Sequence, residues 1–158
     1  MASEKTATAR YEGGMRFEIT AGSGHTLTVD SLVSESAPTA GFSPMELPLM
    51  ALLGCMGMDV VSILAKMRQE LTGYQMSTRG IRAKEHPQVF VQIEVEHIFT
   101  GNNLSREAID RAMELSRTKY CSVSAMLEKT AQITHTVRVV AQTEPGAQGV
   151  TETSAPTR

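Results

Sequence analysis

Ser43-Pro44-Met45-Glu46-Leu47-Pro48-Leu49-Met50-Ala51-Leu52-Leu53-Gly54-Cys55-Met56-Gly57-Met58-Asp59-Val60-Val61-Ser62-Ile63-Leu64 is the stretch that decides the fold. Ser43 can cap a helix, Pro44 suits the first helical position, and Glu46 stands three residues after the cap, so a helix is predicted to begin here with a capping box. The helical pattern runs from Met45 to Leu71 and is apolar on every side as far as Leu64, with Asp59 and Ser62 the strongly polar residues in its middle. A helix of that kind must be enclosed. Pro48 comes early enough to bend the entry without breaking the helix. Gly54 and Gly57 each cost roughly 1 kcal/mol relative to alanine, so they point to close packing against another helix or to room for a ligand.

Upstream, Thr6 to Arg10 and Met15 to Thr20 lean towards strand, separated by Gly13-Gly14, and Gly22-Ser23-Gly24 turns the chain into His25 to Asp30. That reads as a small antiparallel meander. Ser31 to Phe42, rich in Ser, Ala, Pro, Thr and Gly, is a loop leading to the helix. Downstream of Gly73, Tyr74 to Glu85 is a strand, His86-Pro87 a turn, and Val89, Val91, Ile93 and Val95 alternate with polar residues, giving a half-buried strand pair. Gly101-Asn102-Asn103 then breaks the chain and Ser105 starts a helix expected to end near Lys119. Ser122 to Lys129 forms a second short helix, and Ile133 to Val140 a last alternating strand. The order of elements makes the chain an α+β protein with one domain, residues 1–142. Residues 143–158 have a composition that buries nothing useful and are expected to form a disordered tail.

The net charge of −2, from 15 basic and 17 acidic residues spread along the chain, gives no electrostatic footprint for nucleic acid or an anionic membrane. The amino terminus lacks the apolar run of a signal peptide, and the long apolar stretch carries Asp59 and Ser62, so a cytoplasmic location is expected. Ten methionines, no tryptophan, three tyrosines and four phenylalanines predict an aliphatic, thioether-rich core. In a reducing compartment the two cysteines are more often free thiols or redox partners than a permanent crosslink.

Cys55 sits in the middle of the apolar helix with glycines nearby, and most buried cysteines are inert, so on the residues alone a structural thiol is its default reading. Cys121, in Lys119-Tyr120-Cys121-Ser122-Val123, lies where one helix ends and the next begins. It is either a small apolar residue closing that corner or a thiol whose pKa the second helix lowers. Asp59, one turn beyond Cys55, opposes thiolate formation unless a cation balances it, and otherwise binds a backbone N–H or a partner. His25, His86, His97 and His135 show no metal-ligand spacing, so neither a metal nor another cofactor is expected. His97, in phase with Ile93 and Val95, and His135, in phase with Ile133 and Val137, read as satisfied core histidines rather than catalytic bases.

Ser43-Pro44-Met45-Glu46-Leu47, Leu52-Leu53-Gly54-Cys55, Asp59-Val60-Val61-Ser62-Ile63-Leu64, Leu115-Ser116, Lys119-Tyr120-Cys121-Ser122-Val123 and Ile133-Thr134-His135 together resemble the OsmC/Ohr family, particularly its YhfA-like branch, over roughly residues 6–141. The resemblance implies an intertwined homodimer in which antiparallel β-sheets wrap two long central helices, with active sites at the subunit interface. It implies a peroxidase: the Cys55 thiolate attacks an organic hydroperoxide and becomes a sulfenic acid. Cys121 resolves that acid to a disulfide, and an external dithiol reduces the disulfide. Leu52, Met56, Met58 and Met126 are the expected walls of an apolar substrate pocket.

Two features depart from the Ohr pattern. The family's glutamate directly follows the proline, whereas here Met45 follows Pro44 and Glu46 comes one later. At roughly 100° per residue, the spacing from 46 to 55 sets Glu46 about opposite Cys55, although the resemblance still makes it a catalytic candidate. The OsmC-type arginine precedes the long helix, but Ser31 to Phe42 holds no Arg or Lys. Arg16, in the amino-terminal strands, is the remaining candidate for stabilising the thiolate. The alternative to a peroxidase is a dimeric protein that binds a small apolar ligand in the same pocket.

Overall fold

The computed structural model describes residues 3–31 and 39–141, so the expected tail, 143–158, lies outside the described residues. Strands β1 (Ala7–Gly13), β2 (Arg16–Ala21) and β3 (Thr26–Val29) form an antiparallel meander. Gly13 and Gly14, at φ 105° and 60°, make the first turn in backbone conformations that L side chains resist. Tyr11 faces Phe17 across the hairpin with ring centroids 5.4 Å apart. The meander gains little cover from the rest of the chain: β1 is exposed along its whole length.

Helix α1 spans Glu46–Lys66. It starts two residues later than the capping box predicts, because Pro48 has no N–H to bond the Pro44 carbonyl and complete a regular first turn. Half of the box forms all the same: the Glu46 carboxylate accepts the Ser43 backbone N–H at 2.7 Å. The far end also differs from the expectation. Arg68 adopts φ 55°, and the Gln69 N–H donates to the Leu64 carbonyl at 3.0 Å, closing the helix well before Leu71.

Strand β4 (Glu70–Arg82) follows at once and pairs antiparallel with β5 (Phe90–Asn102). Helix α2 (Arg106–Leu115), a π-helical turn (Ser116–Tyr120) and the short helix α3 (Ser122–Leu127) then carry the chain back to β6 (Gln132–Ala141). That crossover returns β6 in the same direction as β5, and the two pair in parallel, so the second sheet, β4-β5-β6, is mixed and not antiparallel throughout as expected.

The core lies between this sheet and the helices. Leu52, Met56, Val60 and Leu64 recur at helical spacing on α1 and are fully buried against Ile93, Val95 and Phe99 of β5 and Ile109 and Ala112 of α2. Each such side chain contributes roughly 1.5–3 kcal/mol. Gly57 is tightly packed, but against a strand and not the expected helix, since a Cβ there would lie 2.6 Å from the Met76 methyl on β4, while Gly54 faces open space. The expected enclosure of α1 on every side is met on one face only. Met50, Met58 and Val61 on the opposite side are exposed, Met58 to 72%.

Candidate functional site

Helix α1, the π-helical turn and α3 bring together residues distant in sequence. In the π-helical turn the Cys121 N–H donates to the Ser116 carbonyl at 2.8 Å, five residues back. The chain then leaves the helical conformation at Cys121 (φ −74°, ψ 97°), which becomes the cap of α3. Its sulfur accepts the Ser124 backbone N–H at 3.3 Å and is only 2% exposed. The extra residue of the π turn thus aims this side chain at α1.

There it meets Cys55 and Asp59. The two sulfurs and a carboxylate oxygen of Asp59 all lie within 4.8 Å of one another, and both cysteines are free thiols. The fully buried Ser116 hydroxyl donates to Asp59 Oδ2 at 3.1 Å and fixes the carboxylate's direction. Asp59 therefore has a side-chain partner in its own chain. Beside it a cleft of about 240 Å³ opens between Asp59, Ser62, Ile63, Lys66, Leu115 and Tyr120.

The α3 terminus does not lower the Cys121 pKa. Burial pushes the thiol up to about 11, the Ser124 N–H offsets only part of that, and the neighbouring Cys55 raises it further. Desolvation outweighs one hydrogen bond from a helix of two turns or less.

The other expected site residues are placed as follows. Arg16 donates to Asp30 Oδ2 from Nε and Nη2 at 3.3 Å. Asp30 also accepts the Ala40 and Ser31 backbone N–H groups, and these contacts hold its carboxyl below the ordinary range, with Ala40 the largest cause. Glu46, exposed, caps its helix and borders a shallow cleft with Thr28, Thr39 and Phe42. Leu52 and Met56 are core residues, and Met58 and Met126 are exposed.

A second polar cluster lies under the sheet. His97, fully buried as its phase predicts, has Nδ1 2.7 Å from the Tyr74 hydroxyl and Nε2 3.1 Å from His135 Nδ1. Burial, with His135 adding to it, lowers the His97 pKa to about 4, and burial lowers that of His135 as well. Among the described residues, no partner meets the buried His135 Nε2. Sequence reasoning missed Ser116, Ser124 and Tyr74, because a serine at a helix end or a tyrosine in a strand carries no periodic signal of what it will touch.

Residues 36–136 match the family model described as OsmC-like protein. Protein YhfA of Escherichia coli (strain K12) is 42% identical over 135 residues, covering 85% of this chain and 98% of that protein. A hypothetical protein from Aquifex aeolicus VF5 superposes with a TM-score of 0.79 at 27% identity, covering 90% of this chain and 100% of the other. The organic hydroperoxide resistance protein OhrB of Bacillus subtilis superposes with a TM-score of 0.62 at 17% identity, covering 86% and 98%, which speaks to fold alone.

Proposed function

Because the chain belongs to the OsmC-like protein family, we propose that it is a thiol-dependent peroxidase that reduces organic hydroperoxides through Cys55 and Cys121. The observation that carries this reading is the approach of two free thiols from separate elements to within 4.8 Å. Cys55 is the attacking residue. It is half-buried on α1 and open to a substrate, whereas Cys121 is sealed, and burial raises its pKa.

The Cys55 thiolate attacks the distal peroxide oxygen, the O–O bond breaks, and the alcohol leaves after taking a proton. Cys55 is then a sulfenic acid. The Cys121 sulfur attacks the sulfenic sulfur, its proton leaves with the hydroxyl as water, and the Cys55–Cys121 disulfide forms. An external dithiol reduces that disulfide and is itself oxidised to a disulfide. The ring closure brings the two sulfurs to about 2.05 Å, which requires Cys121 to leave the Ser124 N–H.

The functional unit in this reading is a homodimer. The exposed apolar side of α1 and the uncovered amino-terminal meander support it. A partner chain in that position also offers a route by which Arg16 and Glu46, or the exposed Met58 and Met126, reach a thiol pair other than their own.

Purified protein with a dithiol reductant is expected to consume an organic hydroperoxide faster than hydrogen peroxide, and Cys55→Ser to abolish consumption. No consumption above the uncatalysed background with several dithiols would end this reading. A second reading is favoured by the protonated Cys121 and by the pairing of Arg16 with Asp30. In it the same dimer holds a small apolar molecule without turning it over, and native mass spectrometry would find that molecule retained.

A further inference from the structure

We propose that the reduced Cys55–Asp59–Cys121 cluster is a binding site for a soft divalent cation, with zinc(II) the best fit. This proposal is independent of peroxidase activity. The sequence offered no metal signature because the histidines lack ligand spacing. The three donors here come instead from one face of α1 and from the cap of α3, elements joined only by the fold.

The geometry is close to what the ion needs. Donor atoms no more than 4.8 Å apart leave a point within about 2.8 Å of all three, so shifts of about half an ångström give zinc–sulfur bonds of about 2.3 Å. Two thiolates and one carboxylate suit zinc(II), while magnesium and calcium require oxygen donors.

The donors are also oriented by neighbours, as ligands in a metal site generally are. The Ser116 hydroxyl fixes the Asp59 carboxylate at 3.1 Å, and the Ser124 N–H fixes the Cys121 sulfur at 3.3 Å. Ser116 and Ser124 are both fully buried, so neither direction is set by solvent. The fourth coordination position is left to water.

The test is a titration of the fully reduced protein with cobalt(II) as a spectroscopic probe, followed by displacement with zinc(II). One cobalt per chain is expected, with a thiolate-to-cobalt charge-transfer band and the intense visible bands of a tetrahedral ion, and zinc removes both. Cys55→Ser and Cys121→Ser each weaken the charge-transfer band. Ser116→Ala, which keeps all three ligands but loses the contact that aims Asp59, weakens zinc affinity roughly 10- to 100-fold. Diamide, which takes the two thiol hydrogens as it is reduced to its hydrazine, leaves a disulfide that binds no cobalt. Absence of the charge-transfer band, or its persistence unchanged in Cys121→Ser, overturns the proposal. An unaltered affinity in Asp59→Asn does the same. Because none of these readouts uses peroxide, a protein that binds cobalt but turns over no peroxide supports the metal site and refutes only the peroxidase.

Discussion

Ser116 and Asp59, on the π-helical turn and α1, are tied by a hydroxyl that donates to the carboxylate across 3.1 Å, and the serine is fully buried. This contact links the segment that aims Cys121 to the helix that carries Cys55. Asp59 is only half-buried, so the lower part of the range for hydrogen bonds to charged groups applies. Ser116→Ala is expected to cost roughly 1.5–2 kcal/mol, read from urea denaturation midpoints. A change below about 0.5 kcal/mol, the size of an ordinary surface substitution, would mean that the bond is not kept in solution.

The two thiols should differ sharply in reactivity. Burial raises Cys121 to about 11 from an ordinary 9.0, a difference of two pH units. At pH 8 the thiolate fraction of Cys121 is therefore about a hundredfold below that of a free cysteine. Iodoacetamide labelling of the unmutated protein, followed site by site with peptide mass spectrometry, should be slowed roughly that much at Cys121 and accelerate until pH approaches 11. The linked stability has the matching sign: it is complete below pH 9 and is lost as pH rises through 11. Labelling at the rate of an unfolded peptide would refute the sealed placement of Cys121.

Much of the architecture was legible because it rests on periodicity. The all-round apolar run from Met45 to Leu64 announces α1, and the phase of His97 with Ile93 and Val95 predicts its burial, which is complete. What periodicity lacks is direction and closure. Alternation in Ile133 to Val140 reads the same whether β6 runs parallel or antiparallel to β5, and only the crossover decides. Arg68 ends α1 in a conformation usually marked by glycine, so the helix appeared longer than it is. The candidate site was legible only through family resemblance. No spacing rule joins Cys55 to Cys121, and the residues that orient the cluster, Ser116 and Ser124, act through folded geometry alone.

Acid should destabilise the protein through the buried histidines. His97 is held to about 4, first by burial and then by His135, against an ordinary value of 6.5. The unfolded chain therefore binds protons that the folded one refuses. Stability is full above pH 6.5 and falls as pH drops towards 4, by on the order of 3 kcal/mol for His97. Unfolding free energies at pH 7, 5.5 and 4 should show this slope. His97→Gln, which keeps polar atoms facing Tyr74 and His135 but does not titrate, should flatten it. An equal slope in the variant would place the acid sensitivity elsewhere.

Met58 provides the sharpest test of the homodimer. In a single chain its side chain is 72% exposed, and on that basis Met58→Glu should change stability by no more than about 0.5 kcal/mol. If a second copy covers the exposed side of α1, the same change buries a carboxylate in an apolar contact, which costs several kcal/mol unless the contact opens. The open space around Gly54 on the same helix is where a partner helix can approach without a Cβ in the way. Sedimentation equilibrium should therefore find the unmutated protein dimeric and Met58→Glu monomeric, with a lowered thermal midpoint. A monomeric unmutated protein, or a variant that remains dimeric with an unchanged midpoint, would remove this face from the interface and with it the route by which a partner completes the thiol site.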